Sequence, residues 1–204
     1  MTLPLTRSQV LKGAAWLSAN FTAETQTAIA GSPVTLPLVQ AIACKETHNI
    51  WLPRIDSHPA GDLLGFCVGD ASGDFTGTSR SAFPTNTAAF RAKYGPAFTD
   101  MLIAEANKAR ALRGLPAAAW VYKGYGIFQY DLQHVAADEA FFRERKWYDF
   151  EACAEKLVLE LSRTFKASAG DVRGAVRRYN GSGPRAEEYA DVVMQFLAWC
   201  EGKA

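Results

Sequence analysis

Several things are scarce in this 204-residue chain, and each scarcity narrows what it can be. No apolar run reaches the length of a membrane span, so no spanning helix is expected. Charge of one sign is not in excess. Lys and Arg number 22 against 21 Asp and Glu, a formal +1, which supplies no electrostatic footprint for nucleic acid. There is no internal repeat, no low-complexity tract and few convincing strands. The N-terminus "MTLPLTRSQVLKGAAWLSANF" lacks a basic start, a continuous apolar stretch and a small-residue cleavage site, so it does not read as a signal peptide. Thr6 and Gln9 read instead as a capping box opening an amphipathic helix.

Cysteine is sparse and never paired as Cys-x-x-Cys. Cys44, Cys67, Cys153 and Cys200 are widely spaced, and buried free thiols are expected rather than two disulfides. Cys44 and His48 stand four apart on an expected helix, a spacing that suits a metal, but no second ligand pair accompanies them. No metal or cofactor is therefore expected. His48 and His134 come with no Ser or Cys nucleophile pattern and read as supporting residues.

Aromatics are plentiful, with five Trp, seven Tyr and twelve Phe, which disfavours disorder. Helical periodicity dominates, over about 6–20, 37–48, 97–113, 151–166, 171–179 and 185–200. Between 53 and 96 the chain is rich in Gly, Pro, Ser and Thr. The expectation is a mainly α protein, one domain over 1–204, with a large irregular insertion at about 52–120. A basic cluster of Arg173, Arg177, Arg178 and Arg185 reads first as a solvated helix face, and second as a contact for an anionic polymer.

In "LPLVQAIACKETHN", Pro37 suits a first helical turn. Val39, Ile42 and Glu46 recur at offsets of three and seven, so Glu46 shares the apolar stripe while Lys45 points elsewhere. A carboxyl held against apolar groups resists ionising, which is what a general acid needs near neutral pH. The plain alternative is a glutamate paired with an arginine. "KGYGIFQYDLQHV" brings two glycines, an amide and a carboxylate into one short loop. Taken alone it is a tight turn between helices, with Asp131 as a helix N-cap. "RRYNGSG" closes a helix at Tyr179 and Asn180, with Gly181 and Gly183 as the stop.

Taken in order, "KETHN", "GYGIFQYD" and "RRYNGSG" with its neighbour "EEYADVV" resemble the blocks of the goose-type lysozymes (glycoside hydrolase family 23). They resemble more loosely the soluble lytic transglycosylases, also of the lysozyme-like superfamily. The blocks cover about a fifth of the chain. The resemblance implies a lysozyme-like fold and cleavage of a β-1,4-linked amino-sugar polymer, with peptidoglycan ahead of chitin. It places Glu46 on the catalytic glutamate, and Gln129, Tyr179 and Asn180 in the substrate cleft, with Tyr125, Gly126 and His48 completing the set. Because goose-type enzymes invert, a second carboxylate is implied to activate water, and Asp131 stands at the matching position.

Two departures accompany the match. Glu46 and Asp131 lie 85 positions apart, which makes the segment between them an insertion. The aspartate that often precedes the second block is absent from "AAWVYKGYG", so Asp70 or Asp74 of the inserted loop is the expected substitute. Asp70, Ser72, Asp74 and Thr76 alternate as in a calcium loop, but Phe75 and Ser81 stand where glycine and glutamate belong, and no calcium is expected. Other readings are a lytic transglycosylase, which needs only the glutamate because the sugar's own 6-hydroxyl attacks, and a non-catalytic sugar-binding module. The chain is expected to act as a monomer on a polysaccharide outside the cytoplasm, by an export route the sequence does not specify.

Overall fold

The computed structural model describes residues 3–71, 73–78 and 80–203. In chain order the elements are α1 (Arg7–Ile29), α2 (Leu36–Trp51), α3 (Ala60–Gly65), β1 (Val68–Ala71), α4 (Thr87–Tyr94) and α5 (Pro96–Leu112). Next come β2 (Tyr122–Tyr125), β3 (Tyr130–Asp131), α6 (Glu139–Arg143), α7 (Phe150–Ala167), α8 (Val172–Asn180) and α9 (Pro184–Cys200). Short 3₁₀ turns lie at Leu52–Arg54, Leu132–Ala136 and Lys146–Tyr148. The protein is mainly α, as the periodicity predicts. Among the described residues, no helix is long and apolar enough to cross a membrane.

The chain packs as two compact units, Met1–His48 with Ala154–Ala204, and Asn49–Cys153. The segment 52–120 is thus part of the second unit together with the glycine-rich loop. It is also less irregular than its composition suggests, since it carries α3, β1, α4 and α5.

In the first unit α1 opens with the expected capping box. The Gln9 N–H donates to Thr6 Oγ1 at 3.3 Å, and the Thr6 N–H donates to Gln9 Oε1 at 2.9 Å. α1 runs on past the expected end at 20, with Phe21 leaving helical geometry inside it. Val10, Leu17, Leu38, Ile42, Leu161, Val193 and Phe196 are buried here, each worth about 1.5–3 kcal/mol against exposure. Gln40 is buried among them and remains satisfied, donating to the Ala14 carbonyl at 3.2 Å and to Ser18 Oγ at 2.8 Å. α9 packs on both α8 and α1.

The second unit holds a three-stranded antiparallel sheet, ordered β1-β2-β3. Val68 pairs with Tyr125 and Gly69 with Gly124, while Gly124 also faces Asp131. The Tyr125 ring meets Phe142 at 5.4 Å and Trp147 at 4.9 Å, and Phe90 meets Phe98 at 5.2 Å. Contacts cross position 120, as where the Tyr148 hydroxyl donates to Glu105 at 2.6 Å and Val68 pairs with Tyr125, so 52–120 packs with the residues that follow it.

Candidate functional site

Glu46 lies half-buried on α2, on the stripe with Val39 and Ile42, which are both buried. The next residue, Thr47, departs from helical geometry at φ −133°, so Glu46 sits at the last regular turn before a kink. From α9, the Tyr189 hydroxyl donates to Glu46 Oε1 at 2.6 Å. Burial and the adjoining Glu46 carboxylate hold the Tyr189 phenol well above its ordinary value, so it remains a protonated donor. The Tyr179 ring, half-buried on α8, lies 6.4 Å from that of Tyr189, and Asn180 is exposed at the end of α8. α2 and the consecutive helices α8 and α9, far from it in sequence, thus bring Glu46, Tyr179 and Tyr189 together. Sequence reasoning does not single out Tyr189, although it stands in "EEYADVV", where only its place in the third block marks it.

His48 turns back onto its own helix, with Nδ1 2.8 Å from the Cys44 carbonyl oxygen. Burial lowers its pKa, against the raising effect of that carbonyl, and Lys45 lowers it further. Cys44 and His48 therefore meet through a backbone carbonyl and not through the thiol. All four cysteines are free, with Cys44, Cys67 and Cys153 buried. Among the described residues no three His, Cys, Asp or Glu side chains gather as a metal site would require.

The glycine-rich loop, in the second unit, is organised around Gln129. This residue takes a left-handed φ of +55°, and its Nε2 donates to the carbonyls of Gly126 at 2.9 Å and Cys67 at 3.1 Å. A Cβ on Gly124 would stand 2.4 Å from Gln129 Oε1, and one on Gly69 would stand 3.0 Å from it. The glycines therefore clear room for the glutamine side chain. Gly126 has φ +79°, and a Cβ there would meet Cys153 Sγ at 2.6 Å. The resemblance places Tyr125 and Gly126 against substrate. Both are buried, Tyr125 with 0% exposure, and they offer no surface to a ligand.

Asp131 is the N-cap of the 3₁₀ turn Leu132–Ala136, accepting the Gln133 N–H at 2.7 Å. Its carboxylate is also gripped by both terminal nitrogens of Arg80, one of them at 3.0 Å. The Arg80 and Asp131 side chains are 11% and 26% exposed. Arg80 further donates to the carbonyls of Pro84 at 3.0 Å and Phe83 at 3.2 Å, fastening the loop to Asp131. Sequence reasoning misses Arg80, because nothing periodic marks a residue in an irregular loop.

Asp74 is committed as well, with Oδ2 accepting the N–H and the hydroxyl of Thr87, each at 2.8 Å. The side chain of Asp70 and all of Ser72 lie outside the described residues. His134 stacks on Tyr130 with centroids 4.7 Å apart. A further carboxylate, Glu105 on α5, is 1% exposed and accepts from Tyr148 at 2.6 Å, Lys108 at 2.8 Å and Arg145 at 3.1 Å. Sealed and neutralised, it serves packing and cannot meet a substrate.

The C-terminal arginines divide. Arg173 pairs with Asp191 at 2.7 Å and Glu187 at 2.9 Å, and Arg177 reaches Glu187 at 3.4 Å, as a solvated ion-paired face does. Arg185 instead lines a pocket. No family model, curated protein or solved structure matches the chain.

Proposed function

We propose that this protein cleaves β-1,4 linkages in an amino-sugar polymer, peptidoglycan before chitin, with Glu46 as the general acid. The observation that carries the reading is the Tyr189 to Glu46 hydrogen bond, 2.6 Å long, at the kinked end of α2. A half-buried carboxyl held by a phenolic donor has a defined direction, and proton delivery to a leaving oxygen depends on that direction. Tyr179 stands beside Tyr189, and Asn180 lines the adjoining pocket with it, an aromatic and an amide of the kind that bind a sugar face and an acetamido group. The ordered resemblance to goose-type lysozymes supports the same assignment, and with it a lysozyme-like fold.

The attacking group decides the reaction class. Hydrolysis with inversion requires a second carboxylate to activate water. Asp131 fits that role poorly, because its oxygens are already taken up by the Arg80 guanidinium and the Gln133 N–H, and Asp74 is spent on Thr87. These commitments favour a second reading within the same site. In it the substrate's own 6-hydroxyl displaces the leaving sugar, as in lytic transglycosylases, and no second carboxylate is needed.

Purified protein incubated with peptidoglycan and with chitin oligomers, and the products weighed by mass spectrometry, tests both readings. A reducing-end product indicates water as nucleophile, and a product lighter by one water indicates the internal hydroxyl. Glu46→Gln keeps the shape but has no proton to give, so turnover is expected to fall by at least about a hundredfold. Near-wild-type turnover in a folded Glu46→Gln protein, or no cleavage of either polymer by the wild type, would remove the proposal.

A further inference from the structure

Beside Glu46 the first unit carries a pocket of about 380 Å³, lined by Pro4, Lys45, Asn180, Arg185, Glu188, Tyr189 and Val192. Its chemistry differs from that of the Glu46 site. The Lys45 ammonium lies 5.1 Å above the Tyr189 ring centroid, held by a cation–π contact. Arg185 is exposed at the first turn of α9. Neither Lys45 nor Arg185 has a carboxylate partner among the described residues, whereas Arg173 and Arg177 on neighbouring α8 are both paired. Glu188 is the one acid in the lining, so the cations outnumber it two to one. Two unspent cations and the Asn180 amide facing one concave space make a receptor for an anion.

Tyr189 joins the two places. Its hydroxyl holds Glu46 and its ring forms a wall of the pocket. We infer that this pocket receives a carboxylate carried on the sugar chain being cut, and that Lys45 and Arg185 make the protein prefer acid-bearing glycans over neutral ones. The inference rests on the proposed glycan-cleaving function and narrows its substrate class. Such a carboxylate has two sources, the lactyl branch of the sugar itself or a peptide stem attached to that branch.

The test measures binding by the full-length protein to three oligomers of equal length. One is neutral N-acetylglucosamine, one bears free lactyl carboxylates, and one bears peptide stems. The wild type is expected to favour one or both acidic oligomers over the neutral one, with the preference shrinking as salt is raised. Whichever acidic oligomer is favoured identifies the source. Lys45→Met with Arg185→Gln should reduce the ratio of acidic to neutral affinity by about tenfold, the sum of two partly exposed ion pairs. Arg185→Lys, which keeps the charge, should restore most of it when Lys45 is intact. An unchanged ratio in the double variant, or binding to none of the three oligomers, overturns the inference. Charge-dependent preference without cleavage would leave the pocket standing and defeat the catalytic reading. Cleavage with no dependence on Lys45 or Arg185 would do the reverse.

Discussion

The Tyr189 hydroxyl donates to Glu46 Oε1 across 143 positions of sequence. It holds in place a glutamate that stands just before the kink in α2. A hydrogen bond to a charged group is worth about 1.5–3 kcal/mol. Tyr189→Phe keeps the ring against Tyr179 and Lys45 and deletes only this donor. Activity on the glycan is expected to fall about ten- to a hundredfold, with a melting temperature lowered by only a few degrees. Equal activity in the variant would mean that Glu46 is not held by this bond in any way that matters to turnover.

Asp131 invites the opposite expectation. Asp131→Asn keeps an acceptor for the Gln133 N–H but leaves the largely buried Arg80 guanidinium without its anion. The expected cost is about 1–3 kcal/mol, below that of a fully buried pair because Asp131 retains some solvent. Thermal unfolding and turnover on one preparation make the measurement. A lowered melting temperature with activity kept within a few-fold agrees with a structural Asp131. Collapse of activity at an unchanged melting temperature would return it to the mechanism as the base.

Stability should decline on the alkaline side. Burial raises the Cys44 and Cys153 thiols from 9.0, and raises the Tyr125, Tyr148 and Tyr189 phenols from 10.0. Each group holds its proton more tightly folded than unfolded. The stability it contributes is complete below the unfolded value and is lost as the pH climbs from there toward the folded one. Denaturant unfolding between pH 8 and pH 11, taken as about one unit either side of those values, should give a free energy that falls above about pH 9. The slope should be shallower in Cys44→Ala. A flat curve to pH 11 would contradict this.

How far the chain can be read depends on whether a feature is local. The six periodic helices and the Thr6–Gln9 capping box come from spacing alone, because a helix fixes neighbours three and four residues apart. Glu46 can be placed on its stripe for the same reason. Arg80 on Asp131, and Tyr189 on Glu46, are pairings across 51 and 143 positions that no local rule reaches. The short elements α3, α4 and α6 are illegible for another reason. With 6, 8 and 5 residues, they depend on packing more than on their own periodicity.

The loop Gly124–Gln129 offers a test of why its glycines are there. Gln129 lies over the sheet with Nε2 shared between two carbonyls, and the missing side chain of Gly124 is the space it occupies. Gly124→Ala would put a methyl 2.4 Å from Oε1 and 3.2 Å from the Gln129 Cβ, so the amide must leave its two acceptors. The expected loss is about 1–3 kcal/mol, the worth of two side-chain hydrogen bonds, with the Gly126 carbonyl still accepting the Gln129 N–H at 3.0 Å. Gln129→Ala should cost a similar amount, since it deletes the same two bonds and keeps the same left-handed backbone. The two changes act on one interaction and should not add. In the double variant the methyl enters space already vacated, so its stability should lie close to that of Gln129→Ala alone. Chemical denaturation of the four proteins measures the coupling. Full additivity would show that Gly124 serves the backbone of β2 and not the glutamine above it.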